Sequence, residues 1–405
     1  MKEIKGGITA AKGFKSSSCA AGIKYKDRTD MAMVYSEKEA VCAGTFTTNQ
    51  VKAACVKWDM LVNEKGLAQA IVVNSGIANA CTGREGFAAC ESVAGAVSDE
   101  LKVDSDRVIV ASTGVIGMQL PVDKLVAGVK TMSGTLDDSI EAGTASSKAI
   151  MTTDTVNKEI AVSVEIDGKE VIIGGMCKGS GMIHPNMCTM LAFLGSDVAI
   201  TKELLQEAVS EVVNETFNMI TVDGDTSTND TFMIMANGMS GAAITSKGRD
   251  YDAFREALMY VCRNLAMRMA ADGEGATKLF EAEVVNAKSK DDARTLSKAI
   301  VGSALSKAAI FGRDANFGRF LCAMGYSGAK FDEADVELYF VSKAGKLKVF
   351  DHGVPLAFDE EEAVRIMSED AVTVYVNMNE GEGCATAWGC DLTYDYVKIN
   401  ADYRS

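Results

Sequence analysis

A threonine that follows a glycine-rich loop is the residue of this sequence best suited to covalent chemistry. Thr189 comes shortly after residues 178–186, which contain small residues and two polar side chains, Ser180 and Asn186. Small residues allow close backbone approach and unusual dihedral angles. The apolar run that begins at Thr189 predicts a buried strand, which would hold the hydroxyl rigidly. A hydroxyl fixed beside a strained peptide can attack the preceding carbonyl carbon and break the chain.

Such a break would give Thr189 a second reactive group. A threonine hydroxyl needs a base to become nucleophilic, and a free α-amine with a pKa of about 7.7–8.0 can take its proton. One residue then supplies both groups, which suits a chain with only two histidines, His184 and His352. Cys188 is the rival nucleophile, although in this interpretation it supplies only the cleaved carbonyl. The alternative is that Thr189 has a purely structural role, which is the commoner role of a threonine at a junction between loop and strand.

The composition restricts the classes of partner. The chain has 405 residues, of which 47% are apolar, and this length predicts two lobes or one large α/β unit. A net charge of −15 argues against nucleic acid and against an anionic membrane surface as partners. No apolar run approaches the length that spans a membrane, and the N-terminal residues lack the apolar stretch of a signal peptide.

The cysteines predict reduced thiols and no metal centre. Eleven cysteines are irregularly spaced without a CxxC pair, which favours a cytoplasmic protein that holds no zinc. Residues 223–230 are acidic and faintly resemble a calcium loop, but the turn glycine and the closing glutamate are absent. No glycine-rich stretch fits a nucleotide-binding motif. We therefore expect neither a metal nor another cofactor.

The hydrophobic pattern mixes strands and helices and predicts an α+β fold. Alternation over 160–166 and a second apolar segment at 171–173 predict a hairpin across Asp167 and Gly168. Other strands are expected at 71–73, 107–111, 189–194 and over most of 372–403. Helices are expected at 84–101, 121–150, 202–216, 251–270 and 293–310.

A series of motifs in a fixed order resembles the ornithine acetyltransferase (glutamate N-acetyltransferase) family. The segment KGSGMIHPNMCTMLAFL at 178–194 is similar to the self-cleavage segment of that family. Further similar motifs lie at 6–10, 73–76, 78–83, 111–117, 223–230, 272–278 and 400–405. The sequence departs from the common pattern at Ala11, Ile77, His184 and Cys188, and none of these changes removes a group that the chemistry needs.

The resemblance implies a fold, a maturation step and a reaction. The fold would be a layered α/β sandwich of the self-processing N-terminal-nucleophile type, with a second, smaller α/β lobe. Cleavage between Cys188 and Thr189 would give an alpha chain, 1–188, and a beta chain, 189–405, which assemble as a heterotetramer with two copies of each. The enzyme would move the acetyl group of N-acetylornithine to glutamate through acetylated Thr189, in the cyclic pathway of arginine biosynthesis. Whether acetyl-CoA is a second donor is left open.

The resemblance also implies the roles of individual residues. Thr113 and Gly114, which follow a predicted strand, would form the oxyanion hole, and the alternative is an ordinary turn at the strand end. Lys178 and Glu274 would supply countercharges for a substrate that carries both signs, although a solvated loop is the commoner place for a lysine. The substrate-binding set as a whole is Thr152, Lys178, Thr189, Glu274, Asn400 and Ser405.

Two other functions remain as alternatives. An aminopeptidase or amidase of the same self-processing architecture would use the same nucleophile but pass the acyl group to water. A non-enzymatic protein that binds amino acids would keep an intact chain. A denaturing gel therefore tests the second alternative, and omission of glutamate from the assay tests the first.

Overall fold

The computed structural model describes residues 1–184 and 190–402, which fall into two compact units. The first unit comprises Met1–Gly179, residues 190–218 and Thr226–Leu265. The second comprises Ser180–His184, Met219–Asp225 and residues 266–402. Both units draw residues from either side of position 188, so they do not correspond to the expected chains 1–188 and 189–405.

The first unit contains a mixed nine-stranded sheet in the order β1-β6-β7-β8-β10-β3-β4-β5, with β2 paired to β3. The pairs β4–β5 and β8–β10 are parallel, and the other pairs of this sheet are antiparallel. Two further strands, β9 and β11, form a short parallel pair. The strands are β1 (Lys2–Ile4), β2 (Phe14–Cys19), β3 (Met31–Phe46), β4 (Leu67–Ile77), β5 (Val108–Val115), β6 (Lys158–Ile166), β7 (Lys169–Lys178), β8 (Leu191–Ser196), β9 (Ala199–Ile200), β10 (Thr231–Ala236) and β11 (Ala243–Ile244).

Both faces of this sheet are buried, and β4 shows how. Ala70 and Val72 join a core that also contains residues of three helices, whereas Ile71 and Val73 join a second core made mainly of strand residues. Successive side chains of a strand point to opposite faces, so a continuous apolar run is the expected pattern for such a strand. The helices are α1 (Ala54–Lys65), α2 (Gly83–Leu101), α3 (Val122–Ser133), α4 (Ile140–Ala149), α5 (Lys202–Glu215) and α6 (Arg249–Ala271), and the division between the units falls within α6, after Leu265.

The second unit is built on a six-stranded sheet in the order β15-β14-β13-β16-β12-β17. Strand β12 lies between β16, which is parallel to it, and β17, which is antiparallel. Helix α7 packs against β12 and β17. The strands are β12 (Leu279–Ala287), β13 (Glu337–Ser342), β14 (Gly345–Asp351), β15 (Val354–Pro355), β16 (Ala371–Asn377) and β17 (Gly383–Cys390). The helices are α7 (Lys290–Gly302), α8 (Ala304–Gly312), α9 (Phe317–Gly325), α10 (Glu360–Met367) and α11 (Tyr394–Ala401).

The predicted α+β class is confirmed, and most of the predicted elements are present. The expected hairpin is β6–β7, and the expected helices at 84–101, 202–216 and 251–270 are α2, α5 and α6. The start of the strand expected at Thr189 lies outside the described residues, and its continuation is β8. None of the described helices has both the length and the apolar character needed to cross a membrane.

Three predicted elements differ from the structure. The helix expected over 121–150 is two helices, α3 and α4, and residues 134–139 lie in neither. The helix expected over 293–310 is two helices, because Ser303 ends α7 and its hydroxyl accepts the amide of Ser306 to begin α8. The strand pattern expected up to residue 403 is wrong beyond Cys390, where the chain forms α11. The hydroxyl of Thr393 accepts the amide of Tyr396, which starts this helix, and donates to the carbonyl oxygen of Gly275 at 2.7 Å. This tertiary contact has no signal in the local sequence pattern.

Candidate active site

The predicted oxyanion-hole residues, Thr113 and Gly114, lie at the end of β5. Strand β5 runs parallel to β4 in a register that places Gly114 beside Gly76. Gly114 has a φ of +131°, and a Cβ atom at this position would lie 2.2 Å from the carbonyl carbon of Gly76. Only glycine combines this backbone conformation with so close an approach. The structure therefore explains the glycine, and its catalytic role stays a prediction.

Buried amides hold this strand end in place. The side-chain amide of Asn229 donates to the carbonyl oxygens of Ser112, at 2.8 Å, and Ala78. The hydroxyl of Ser112 donates to Asn74 Oδ1 at 2.7 Å, and Asn74 Nδ2 donates to the carbonyl oxygen of Ile77 at 2.9 Å. A fully bonded buried network gives the strand end a single geometry. The network uses the backbone of Ile77, so the departure from the family pattern at this position leaves it intact.

Lys178, the last residue of β7, lies close to the predicted oxyanion hole. Its side chain is buried, and its Nζ atom is 3.3 Å from the hydroxyl oxygen of Thr113. The structure thus brings together two residues that the sequence places 65 positions apart. A buried ammonium beside a group that faces developing negative charge is suited to stabilise it.

Asp154 bonds to the backbone of Thr152 and of Gly179, the neighbour of Lys178, and no sequence pattern marked it. Asp154 Oδ2 accepts the backbone amide of Thr152 at 3.0 Å, and Oδ1 accepts the amide of Gly179 at 2.7 Å. Oδ1 also accepts the ammonium of Lys158 at 2.8 Å, and both of these side chains are fully buried. Burial by itself raises the pKa of Asp154, but the charges of Lys178 and Lys158 outweigh it and lower the pKa to about 2.

The pKa of a second carboxyl group near Lys178 is shifted in the opposite direction. Asp230 is buried at the start of β10, and burial raises its pKa well above the ordinary value, with Lys178 acting in the other direction. Burial in a low-dielectric environment favours the neutral acid. Asp154 is therefore the carboxylate that balances lysine charge here, and Asp230 is held closer to its protonated form.

Two other predicted residues, Glu274 and Asn400, contact each other in the second unit. Asn400 Nδ2 donates to Glu274 Oε2 at 2.7 Å and to the carbonyl oxygen of Tyr396 at 3.0 Å. The backbone amide of Glu274 donates to the carbonyl oxygen of Ser180 at 2.8 Å. A Cβ atom at Gly181 would lie 2.3 Å from Glu274 Cδ. The glycine is therefore required for the carboxylate of Glu274 to lie against this part of the chain.

Asp223 also holds the segment that contains Ser180 and Gly181. Its carboxylate accepts the backbone amides of Met182, at 2.6 Å, and Ile183, at 2.8 Å. Met182 adopts a φ of +56°, which is unusual for a side chain of this size. In sequence, the acidic run at 223–230 faintly resembles a calcium loop. In the structure, its first aspartate, Asp223, instead accepts hydrogen bonds from backbone amides.

His184, one of the departures from the family pattern, is a half-buried imidazole that contacts Thr221. Its Nδ1 atom is 3.0 Å from the hydroxyl oxygen of Thr221, which itself donates to the carbonyl oxygen of Ile183. Burial, together with the charge of Lys298, lowers the pKa of His184 to about 4, although Asp223 acts in the other direction.

Three predicted residues cannot be placed. Cys188, Thr189 and Ser405 lie outside the described residues. Their expected roles in cleavage, nucleophilic attack and substrate binding therefore stay predictions. The structure brings the other predicted residues together in two groups: Thr113, Gly114, Thr152 and Lys178 in the first unit, and Glu274 and Asn400 in the second.

A cavity of about 610 Å³ lies in the first unit next to Thr152, and none of the predicted site residues that the structure describes lines it. The guanidinium of Arg28, on its wall, donates to the carbonyl oxygens of Met151, at 2.6 Å, and Thr152, at 3.1 Å. Arg28 thus fixes the backbone on one side of Thr152, as Asp154 does on the other. The lining residues are Ser18, Arg28, Thr29, Ala145, Lys148, Met151, Thr155, Val156 and Asn157.

In the second unit, three potential metal ligands lie close together. They are Glu337, Asp351 and His352. The ammonium of Lys348 lies 2.8 Å from Glu337 Oε1 and 2.6 Å from Asp351 Oδ1. A lysine thus already supplies positive charge to both carboxylates, and we interpret the group as an ion-pair network.

Comparison with known proteins assigns this chain to one family. A sequence model of the ArgJ family matches residues 15–405. Relatives called arginine biosynthesis bifunctional protein ArgJ match along their whole length, with 49% identity over 406 residues in Caldanaerobacter subterraneus subsp. tengcongensis and 46% over 408 residues in Lactococcus lactis. In both cases the alignment covers 100% of this chain and 100% of the relative. The chain belongs to the ArgJ family, which confirms the predicted resemblance.

Solved structures of this family match part of the chain. The ArgJ protein of Bacillus halodurans is 45% identical, covers 52% of this chain and 97% of its own, and superposes with a TM-score of 0.49. The ornithine acetyltransferase of Mycobacterium tuberculosis, solved in complex with ornithine, is 42% identical. It covers 45% of this chain and 95% of its own, with a TM-score of 0.43.

Proposed function

We propose that this protein is an acyltransferase of arginine biosynthesis that moves the acetyl group of N-acetylornithine to glutamate. The observation that carries this proposal is the match to ArgJ relatives along the whole chain, at up to 49% identity. The buried group of Lys178 and Thr113 beside Gly114 supports it, because acyl transfer needs positive charge and hydrogen-bond donors near an oxyanion.

The proposed reaction has two half-reactions on Thr189. The α-amine of Thr189 takes the hydroxyl proton as the oxygen attacks the acetyl carbonyl carbon of N-acetylornithine. The carbon–nitrogen bond then breaks, the proton passes to the leaving amine, and ornithine departs from an acetyl ester of Thr189. The amine of glutamate attacks this ester, its proton returns to the threonine oxygen, and N-acetylglutamate forms. Thr113 and Gly114 face the negative oxygen of both tetrahedral intermediates.

The charged residues of the two groups are proposed to recognise the substrates. N-Acetylornithine carries a carboxylate and a distal ammonium, and Lys178 and Glu274 offer one countercharge for each sign. Thr152, Asn400 and Ser405 complete the proposed substrate-binding set. Asn400 supports this assignment because its amide fixes the carboxylate of Glu274 at 2.7 Å.

Acetyl-CoA is proposed as a second acetyl donor. The support is the word bifunctional in the names of the full-length relatives. In this reaction acetyl-CoA would acylate Thr189 in place of N-acetylornithine, and glutamate would again accept the acetyl group. Purified protein with acetyl-CoA and glutamate should then release free thiol, and no release would limit the enzyme to N-acetylornithine.

Self-cleavage between Cys188 and Thr189 is the central test of the proposal. Mass spectrometry of the purified protein should find fragments of 188 and 217 residues, since 405 minus 188 is 217. Thr189→Ala should abolish both the cut and the activity, whereas Thr189→Ser keeps a hydroxyl and should still cut. Cys188→Ala is the matched control and should cut normally, because only its carbonyl takes part. An active intact chain, or an active Thr189→Ala variant, would contradict the mechanism.

The acceptor distinguishes the transferase from the amidase alternative. A transferase releases ornithine from N-acetylornithine rapidly only when glutamate is present, because the acetyl ester is protected from water. Ornithine release at the same rate without glutamate, together with free acetate, would favour the amidase.

Assembly and location belong to the same proposal. The two chains are proposed to remain associated as a heterotetramer of two alpha and two beta chains in the cytoplasm. Light scattering should then give a mass of about twice 42.9 kDa under native conditions. A native mass of one alpha and one beta chain would contradict the tetramer.

A further inference from the structure

Asp154 occupies a central position among the predicted residues of the first unit. It lies in the connection between α4 and β6, and its buried carboxylate has three hydrogen-bond partners. Two are the backbone amides of Thr152 and Gly179, and the third is the ammonium of Lys158. Asp154 thus bonds to Thr152, which is a predicted substrate-binding residue, and to Gly179. Gly179 is the neighbour of Lys178, which is also in the predicted substrate-binding set.

The charges around Asp154 have a consequence for Lys178. Lys158 and Lys178 carry two positive charges, Asp154 carries one negative charge, and burial favours the neutral form of Asp230. Two lysine charges therefore face the single carboxylate charge of Asp154. If Asp154 had Lys178 as its sole cation, the two would cancel, and the pair would offer little attraction to an anion. Lys158 therefore lets Asp154 orient Lys178 without removing the net positive charge beside Thr113.

We propose that Asp154, balanced by Lys158, is a positioning residue that holds Lys178 and the backbone of Thr152 in the geometry needed for acyl transfer. This proposal rests on the function proposed above. Asp154 itself does not touch the reacting atoms in this mechanism. It acts through the amide of Gly179, through the amide of Thr152 and through its attraction for the ammonium of Lys178.

The test must separate positioning from a general loss of folding. Asp154→Asn alone would leave Lys158 buried without its carboxylate, which is strongly destabilising. The pair Asp154→Asn with Lys158→Met removes both charges together and leaves the net charge of the group unchanged. Replacement of a buried ion pair by neutral residues of similar volume is often tolerated. The amides of Thr152 and Gly179 donate to different oxygens of Asp154, and an asparagine side chain has one acceptor oxygen, so one of the two amides loses its partner.

The measurement is kcat/KM for acetyl transfer, expressed per cleaved chain, in two backgrounds. In the otherwise native protein the double substitution should lower kcat/KM by about tenfold or more, the loss expected for hydrogen bonds to a charged group. In a Lys178→Met background the same double substitution should cost clearly less, because Asp154 then has no lysine to orient and acts only through the amide of Thr152. A residue that acts only on folding would give the same loss in both backgrounds.

Asp197→Asn is the matched control in the first unit. Asp197 is buried and accepts the backbone amides of Lys12, at 3.2 Å, and Ile172, at 2.9 Å, but it has no bond to a predicted site residue among those described. This variant should lose stability while kcat/KM per cleaved chain stays unchanged. An equal loss of kcat/KM in Asp197→Asn and in the Asp154 double variant would overturn the proposal.

The other outcomes are also decisive. Native-like kcat/KM in the double variant, or a loss of equal size in both backgrounds, would overturn the positioning role while the proposed function stands. Failure of the double variant to cleave, when Lys178→Met does cleave, would also overturn it, because Asp154 would then act independently of Lys178. Native-like kinetics of Lys178→Met itself would remove Lys178 from the site, and that failure belongs to the proposed function.

Discussion

Lys178 in the first unit and Glu274 in the second carry opposite charges, and the two units hold these charges in different ways. Lys178 ends a strand of the nine-stranded sheet, and a buried aspartate and a second buried lysine surround it. Glu274 lies outside the strands and helices, and a residue of the short helix α11 binds its carboxylate. In the first unit, strand register and ionic balance set the position of the charge. In the second, turns and single hydrogen bonds set it.

The two glycines beside these residues show the same difference. Gly114 lies against the backbone of Gly76, whereas Gly181 lies against the side chain of Glu274. A backbone neighbour in a paired strand cannot move without loss of its hydrogen bonds to the adjacent strand, but a side chain can adopt another rotamer. The first group should therefore be rigid and intolerant of change, and the second should adapt at a cost to binding.

The largest expected effect is that of an added methyl group at these two glycines. Gly114→Ala combines a positive φ with a clash against backbone, so we expect a loss of about 3 kcal/mol in the free energy of unfolding. Activity should fall at least about hundredfold. Gly181→Ala should cost less than about 1.5 kcal/mol in stability, and it should mainly raise KM because Glu274 must move. Urea denaturation and steady-state kinetics measure both, and equal stability losses would contradict the comparison.

Removal of the hydroxyl of Thr113 tests the rigid group without a steric clash. Thr113→Ala should lower kcat by the equivalent of about 2.7–4 kcal/mol, with a smaller change in KM, because the donor acts on the transition state. Thr113→Ser, which keeps the hydroxyl near Lys178, should retain most of the turnover. An effect of Thr113→Ala on KM alone would make the oxyanion-hole assignment wrong.

Neutral replacements of the two charges compare the groups directly. Glu274→Gln and Lys178→Met should each lower kcat/KM by at least about 1.5 kcal/mol, the lower end for a hydrogen bond to a charged group. Asn400→Leu leaves Glu274 charged but removes its 2.7 Å partner, so a smaller loss confined mainly to KM is expected. Kinetics with N-acetylornithine and with glutamate varied separately would show which half-reaction each residue serves. Unchanged kcat/KM in both charge variants would exclude Lys178 and Glu274 from the site.

The smallest expected effect is on the pH dependence of stability. The folded pKa of Asp154, about 2, lies below its ordinary value of 3.8, so its contribution is complete above pH 3.8 and is lost as pH falls towards 2. The folded pKa of His184, about 4, lies below its ordinary value of 6.5. The unfolded chain therefore binds more protons between pH 6.5 and 4, and stability falls as the solution is acidified through that range.

His184→Gln should remove this acid sensitivity. From pH 7 to pH 5 the native protein should lose about 1–2 kcal/mol more unfolding free energy than the variant does. Urea denaturation of both proteins at the two pH values is the measurement. An equal loss of unfolding free energy in the two proteins would show that the protonation of His184 does not contribute to the acid sensitivity.

Much of the architecture could be predicted from local patterns. The alternation at 160–166 and the turn residues Asp167 and Gly168 predicted the β6–β7 hairpin, because the period of two and the turn chemistry are properties of a few adjacent residues. The helices with a clear apolar stripe, such as α5 and α6, were predicted for the same reason. The chemistry of Thr189 followed from residue types alone, and the family followed from motifs in a fixed order.

The tertiary structure decided which distant residues contact the predicted site residues. Asp154 is separated from Gly179 by 25 positions and from its partner Lys178 by a strand hairpin, so no local pattern marks it. Asn229 reaches Ser112 across 117 positions, and α11 depends on a bond from Thr393 to Gly275 across 118. Spacing along the chain predicts periodicity and turns, but burial, countercharge and the pairing of distant backbone groups exist only after the chain has folded. The sequence by itself therefore determined the family and most elements and predicted the nucleophile, and the fold alone determined how the charges are held.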